Sequence, residues 1–217
     1  MRLLASLSFS LGLAALTLPV PHANAQTPEN AVKTAFDLCT NVPGQIDEAR
    51  AILSEAHWKE SESAALTTLY WLTVATNFKA DDLDFTFRNA AFMAASVLGN
   101  SALGQDQIGV EFDNYMLALL GLPEGTPYCV MTGPDDLLLN FARSKGELQQ
   151  QMSQSSPTLI QTQGIMDETF AVSFGGFDLD AVSSLLARSS LSDAFQAEIR
   201  AFFVPSVLHI ANVENFQ

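Results

Sequence analysis

The chain predicts an α+β fold: N-terminal helices, a central and mostly antiparallel sheet, and two β-turn-α units, tied by one disulfide. Three observations carry this expectation. Apolar residues recur at helical spacing up to about residue 58. Short runs rich in β-branched and aromatic residues, bounded by Gly, Pro and Asn, fill the middle. A strand–turn–helix pattern then occurs twice, in "CVMTGPDDLLLNFARSKG" and "TFAVSFGGFDLDAVSSLLARS".

The first 25 residues set the compartment. Arg2 is the only charge before Glu29, and "LLASLSFSLGLAALTL" is apolar or small throughout. Pro19 and Pro21 end any helix there, since proline has no amide hydrogen to donate. Ala23-Asn24-Ala25 has the small-x-small form that signal peptidase accepts. Residues 1–25 therefore read as a signal peptide cleaved between Ala25 and Gln26. The apolar run falls short of the roughly 20 residues a membrane span needs, and no later stretch is long enough to supply one. The expectation is an exported protein, periplasmic or secreted, with residues 26–217 forming one globular domain.

The mature part opens on "TPENAVKTAFDLC". Thr27 is placed to cap a helix, and Pro28 takes the first helical position, where its missing amide costs nothing. Val32, Ala35, Phe36 and Cys39 fall on one face. A second helix is expected from about Gln45 to Trp58, with Ile46, Ala49, Ile52, Leu53 and Ala56 inward and Asp47 and Glu48 at the positive end of the helix dipole.

Residues 62–78, "ESAALTTLYWLTVATNF", carry conflicting signals. Leu66, Leu69, Tyr70 and Val74 keep helical period, but the density of Thr, Tyr, Trp and Val favours a strand. The expectation is a short helical start running into a strand. "DDLDFTFRNAAFMAASVLG" follows, with an acidic entry and an apolar stretch ended by Gly99. "QIGVEFDNYMLALLG" and "TPYCVMTG" read as two strands joined by the turn "LPEG".

In the first β-turn-α unit, Thr132 or Gly133 caps and Pro134 starts a helix that Gly146 stops. In the second, a strand ends at Phe174, Gly175-Gly176 turns, and Asp178 caps. Both helices end in Ala-Arg-Ser, a resemblance that two ordinary β-α junctions explain without a duplication. Between the units, residues 144–164 are rich in Gln and Ser and read as a polar loop that sets off a small C-terminal lobe. A last helix from Ser192, with Phe195, Ile199, Phe202 and Phe203 on one face, ends at Pro205. "SVLHIANVE" reads as a short final strand.

Two cysteines in an exported chain meet an oxidising compartment, which predicts the bridge Cys39–Cys129. It closes a loop of about 90 residues, worth roughly 4.6 kcal/mol by chain entropy. Two cysteines and two histidines without close spacing do not make a zinc site, so no metal and no cofactor is expected.

Charge narrows the partners. The sequence has 24 acidic against 10 basic residues, a net −14. Such a surface repels phosphate backbones and anionic lipid, so nucleic acid is not an expected partner. A small molecule, a peptide or another envelope protein remains open. Templates for a nucleophilic serine, a phosphate loop and a zinc protease are missing. Asp81, Asp82 and Asp84 lack the glycine and terminal glutamate of a calcium loop. The one catalytic candidate is His57, in "EAHWKE" with Glu55, Trp58 and Glu60, which suits a general base. A histidine at a helix C-terminus is equally explained by the dipole. His209, in an apolar strand, reads as structural. Tyr70, Trp71, Phe78, Phe85, Phe87 and Phe92 serve either as core or as the lining of an apolar pocket. The expected role is a binding or envelope accessory protein. The alternatives are a hydrolase-like enzyme using His57 with acidic partners, with or without a divalent cation, and a component of a homo-oligomer.

Overall fold

The computed structural model describes residues 26–41, 46–99, 107–120, 128–134, 136–152, 159–166 and 170–212. The fold is α+β. Its elements are α1 (Pro28–Thr40), α2 (Ile46–Glu55), β1 (Lys59–Glu60), α3 (Glu62–Asn77), α4 (Leu83–Gly99), β2 (Gln107–Phe112), β3 (Tyr115–Leu120), β4 (Tyr128–Gly133), α5 (Leu137–Lys145), β5 (Gly146–Met152), β6 (Leu159–Met166), β7 (Phe170–Phe177), α6 (Leu179–Arg188), α7 (Asp193–Ala201) and β8 (Ser206–Asn212).

The eight strands form one antiparallel sheet in the order β1-β2-β3-β4-β8-β7-β6-β5. Two meanders, β1 to β4 and β5 to β7, lie side by side, and the last strand inserts between them. Cys129 pairs with Ile210 on one side of β8 and Val172 with the same residue on the other. The expected short final strand is thus a central one.

Strand alternation sends side chains to two cores. Leu117, Leu119, Cys129, Met131, Leu208 and Ile210 face α1, α2 and α5. Leu120, Val130, Phe177 and Val207 face α3, α4, α6 and α7. The result is a sheet between two helical layers.

On the first face, α1 forms as expected. Thr27 Oγ1 accepts from Asn30 N at 3.3 Å, Pro28 leads the helix, and Ala31, Val32, Ala35, Phe36 and Cys39 are buried. Cys39 bonds Cys129 with the Cα atoms 5.7 Å apart, joining α1 to the middle of the sheet. Trp58 donates to Ala31 O at 3.1 Å, and Phe36 stacks on Phe141 of α5 at 6.0 Å.

Several local expectations are corrected. Residues 62–77 are helical throughout, with no strand. Ala64, Ala65, Thr68, Leu69, Trp71, Leu72, Val74 and Ala75 are all buried, so tertiary packing overrides β propensity. "QIGVEFDNYMLALL" is two strands, turned at Asp113-Asn114, where Asp113 takes the left-handed region (φ 51°) that aspartate tolerates. "LPEG" lies outside the described residues. The polar segment 144–164 is no loop: β5 and β6 occupy most of it and pair from Gly146↔Met166 to Met152↔Ile160. Gly175 and Gly176 do not turn but continue β7, opposite Val207 and Ser206.

In the first β-turn-α unit the helix starts later than expected: Thr132 and Gly133 are still paired in β4, and α5 begins at Leu137 rather than Pro134. Asp178 Oδ1 accepts from Ala181 N at 3.0 Å at the head of α6, and Ser192 Oγ from Phe195 N at 3.4 Å at the head of α7. Gly109 seats α3 on the sheet. A Cβ there would stand 2.7 Å from Ser61 O and 3.1 Å from Ala65 N, so only glycine permits the approach.

Candidate functional site: an apolar groove between three helices

The second face carries the feature with most chemical content. Trp71 is fully buried at its centre. The indole donates to Phe202 O at 2.7 Å and meets Phe87, Phe177 and Phe203 edge-on, with centroids 5.3 to 6.5 Å apart. Edge-to-face geometry sets the positive rim of one ring against the negative face of the next, worth about 0.5–1.5 kcal/mol a pair beyond burial. The cluster makes a rigid floor.

Above that floor is a groove of about 450 Å³. One wall is α3, through Leu66, Tyr70 and Trp71. A second is α4, where Ala91 and Ala95 leave the space that larger side chains would fill. The third is α7, through Phe195, Glu198, Ile199 and Phe202. The lining is mostly carbon, with Ser63, Thr67, Tyr70 and Glu198 as polar points.

Burial and, secondarily, the Glu198 carboxylate push the Tyr70 phenol well above its ordinary range. Tyr70 therefore stays protonated, a hydroxyl able to donate, within electrostatic reach of the Glu198 carboxylate. Glu198 makes no ion pair among the described residues. Arg88 of α4 lies with its guanidinium 5.4 Å from the Phe195 ring and pairs with Asp84. The groove pairs one carboxylate with a largely apolar lining.

The other side chains singled out from sequence fall elsewhere. His57 follows α2 in the left-handed region (φ 63°) with an exposed side chain that joins no ion pair among the described residues. Its neighbour Glu60 is taken by Arg50 at 3.1 Å, and Trp58 is core. Asp82 caps α4 by accepting from Phe85 N at 3.0 Å, and Asp84 pairs with Arg88. No cluster of metal-ligating side chains occurs among the described residues. Phe78 and Phe87 are core, whereas Phe85 and Phe92 are exposed, at 43% and 69%.

His209 is placed on the α3 side of β8. Nδ1 lies 3.4 Å from Ser173 Oγ, the Tyr128 ring packs at 4.3 Å, and the buried Nε2 finds no partner among the described residues. Burial pushes this imidazole down to about 4 and the Tyr128 phenol up to about 12. Both are neutral at ordinary pH, and a recess lined by Leu72, Thr76, Ser173 and Val207 opens beside Ser173.

Sequence reasoning singled out Tyr70 and Trp71 and placed Phe195 and Phe202 on one stripe. It missed Ala91, Ala95 and Glu198. Their only signal is a pair of small residues at helical spacing opposite a carboxylate in an aromatic helix, which is too common to read alone. Comparison with protein-family models, curated proteins and solved structures finds no match to this chain.

Proposed function

We propose that this is an exported, non-catalytic binding protein that takes an apolar ligand in the groove between α3, α4 and α7. The groove itself carries the reading. Its 450 Å³ falls within the roughly 300–1,000 Å³ of typical ligand sites, and a mostly apolar lining with a few convergent polar groups is their usual composition. Release of water from that lining supplies affinity, at about 25 cal/mol per Å² of apolar surface covered. Tyr70 and Glu198 supply orientation. Export is supported by the leading apolar segment in the sequence. The Cys39–Cys129 bridge suits an oxidising compartment, and no described helix is long and apolar enough to cross a membrane.

The test uses the neutral fluorophore N-phenyl-1-naphthylamine, which brightens in apolar surroundings. The expected result is saturable binding at one site, abolished by Ala95→Trp. Position 95 is exposed on the groove wall, so the indole fills the groove without disturbing the core. A signal that never saturates, or one that Ala95→Trp leaves unchanged, removes the reading.

A further inference from the structure

We infer that the natural occupant of the groove is an amphipathic helix of another protein, carrying a lysine or arginine that meets Glu198; this rests on the binding role assigned above. The rim is the first reason. Leu66 is 44% exposed and Phe202 62%, and Phe92, beside Ala91 and one turn before Ala95, is 69% exposed. A small molecule seated between the helices touches Leu66 and Phe202 but leaves Phe92, which is outside the lining, in water. A helix laid along the slot covers them together.

Shape is the second reason. Three helices wall an open slot, so a fourth helix can continue the layer. The slot admits the roughly three or four apolar side chains that two turns of an amphipathic helix present. Charge is the third. Glu198 is the only charged residue of the lining and has no ionic partner among the described residues, while Arg88 nearby is held by Asp84. The net charge of −14 steers a basic segment toward the surface and repels an acidic one.

The experiment titrates the full chain with a fluorescein-labelled 18-residue peptide of leucine and lysine, leucines at helical spacing. Its comparisons are the same pattern with glutamate for lysine, and dodecylammonium below its micelle concentration. The leucine–lysine peptide is expected to bind, to displace N-phenyl-1-naphthylamine and to exceed both comparisons. Phe202→Ala should weaken it by at least about fivefold. Glu198→Gln should weaken it by roughly two- to fivefold. Glu29→Gln, an exposed acid of α1, should change nothing. Binding that ignores Phe202→Ala and Glu198→Gln is adhesion to an acidic surface and overturns the inference. So does dodecylammonium competing as tightly as the peptide, which makes the ligand a small amphiphile. If the fluorophore binds and the peptide does not, the partner is wrong but the groove stands. If neither binds, both readings fall.

Discussion

The two faces of the sheet bury comparable aromatic cores and finish them differently. On the first face, α1, α2 and α5 close over Phe36, Trp58 and Phe141, and a disulfide joins α1 to β4. On the second, α3, α4, α6 and α7 cover Trp71, Phe87 and Phe177 without a covalent tie. Every large apolar side chain that stands exposed among the described residues belongs to this second layer: Leu66, Phe85, Phe92, Met93, Leu179 and Phe202. Two of them, Leu66 and Phe202, line the groove, and Phe85 lies under Lys79 Nζ. The two faces thus differ in what closes them: a covalent tie on the first, and a groove rimmed by exposed apolar side chains on the second.

Breaking the staple gives the largest effect. Cys39→Ala with Cys129→Ala should cost about 4 kcal/mol, read as a lower urea midpoint, because the unfolded chain regains the entropy of a 90-residue loop. Fluorophore binding on the other face should persist under conditions where the variant is still folded. Equal midpoints for oxidised and reduced protein would show that α1 holds its place without the bond.

Acid sharpens the comparison from the opposite side. His209 faces α3, and its folded-state value near 4 lies below the ordinary 6.5 because burial disfavours the imidazolium. The unfolded chain binds the proton first. Stability from this residue is therefore complete above pH 6.5 and is lost as pH falls toward 4, a change of about 3 kcal/mol. Urea unfolding at pH 7.5 and pH 4.5 should show most of that loss, and His209→Gln should flatten it. An equal slope in the variant would assign acid sensitivity to other groups.

The smallest effect is the most pointed. Phe202→Ala should alter stability by no more than about 0.5 kcal/mol, since the ring is 62% exposed and the carbonyl that accepts from Trp71 is retained. A loss above 2 kcal/mol would make Phe202 part of the core rather than of a binding rim.

The stapled face was the legible one. Thr27 and Pro28 announce α1, its apolar residues keep one stripe, and two cysteines have one pairing. The second face resists reading because α3 carries apolar residues on its groove side, Leu66 and Tyr70, as well as on its core side, and so has no single stripe to show. Its β-branched residues also mislead. Thr73 and Thr76 donate to Leu69 O and Leu72 O at 2.9 Å, satisfying hydroxyls that the helix would otherwise leave wanting. Residues 146–166 fail for another reason. The paired stretch Gln149 to Gln151 against Gln161 to Gln163 has no apolar alternation to betray a strand, so composition suggested a loop. The groove was legible only in its aromatics. A hollow is made by what Ala91 and Ala95 lack, and by α7 meeting α3 and α4 from far along the chain.

Hydrogen–deuterium exchange, with and without the leucine–lysine peptide, tests the division of labour between the faces most directly. Peptide should slow exchange in residues 62–77, 83–97 and 193–202 and leave residues 28–40 and 137–144 unchanged. Slowed exchange on α1, α2 or α5, or equal slowing on both layers, would contradict it.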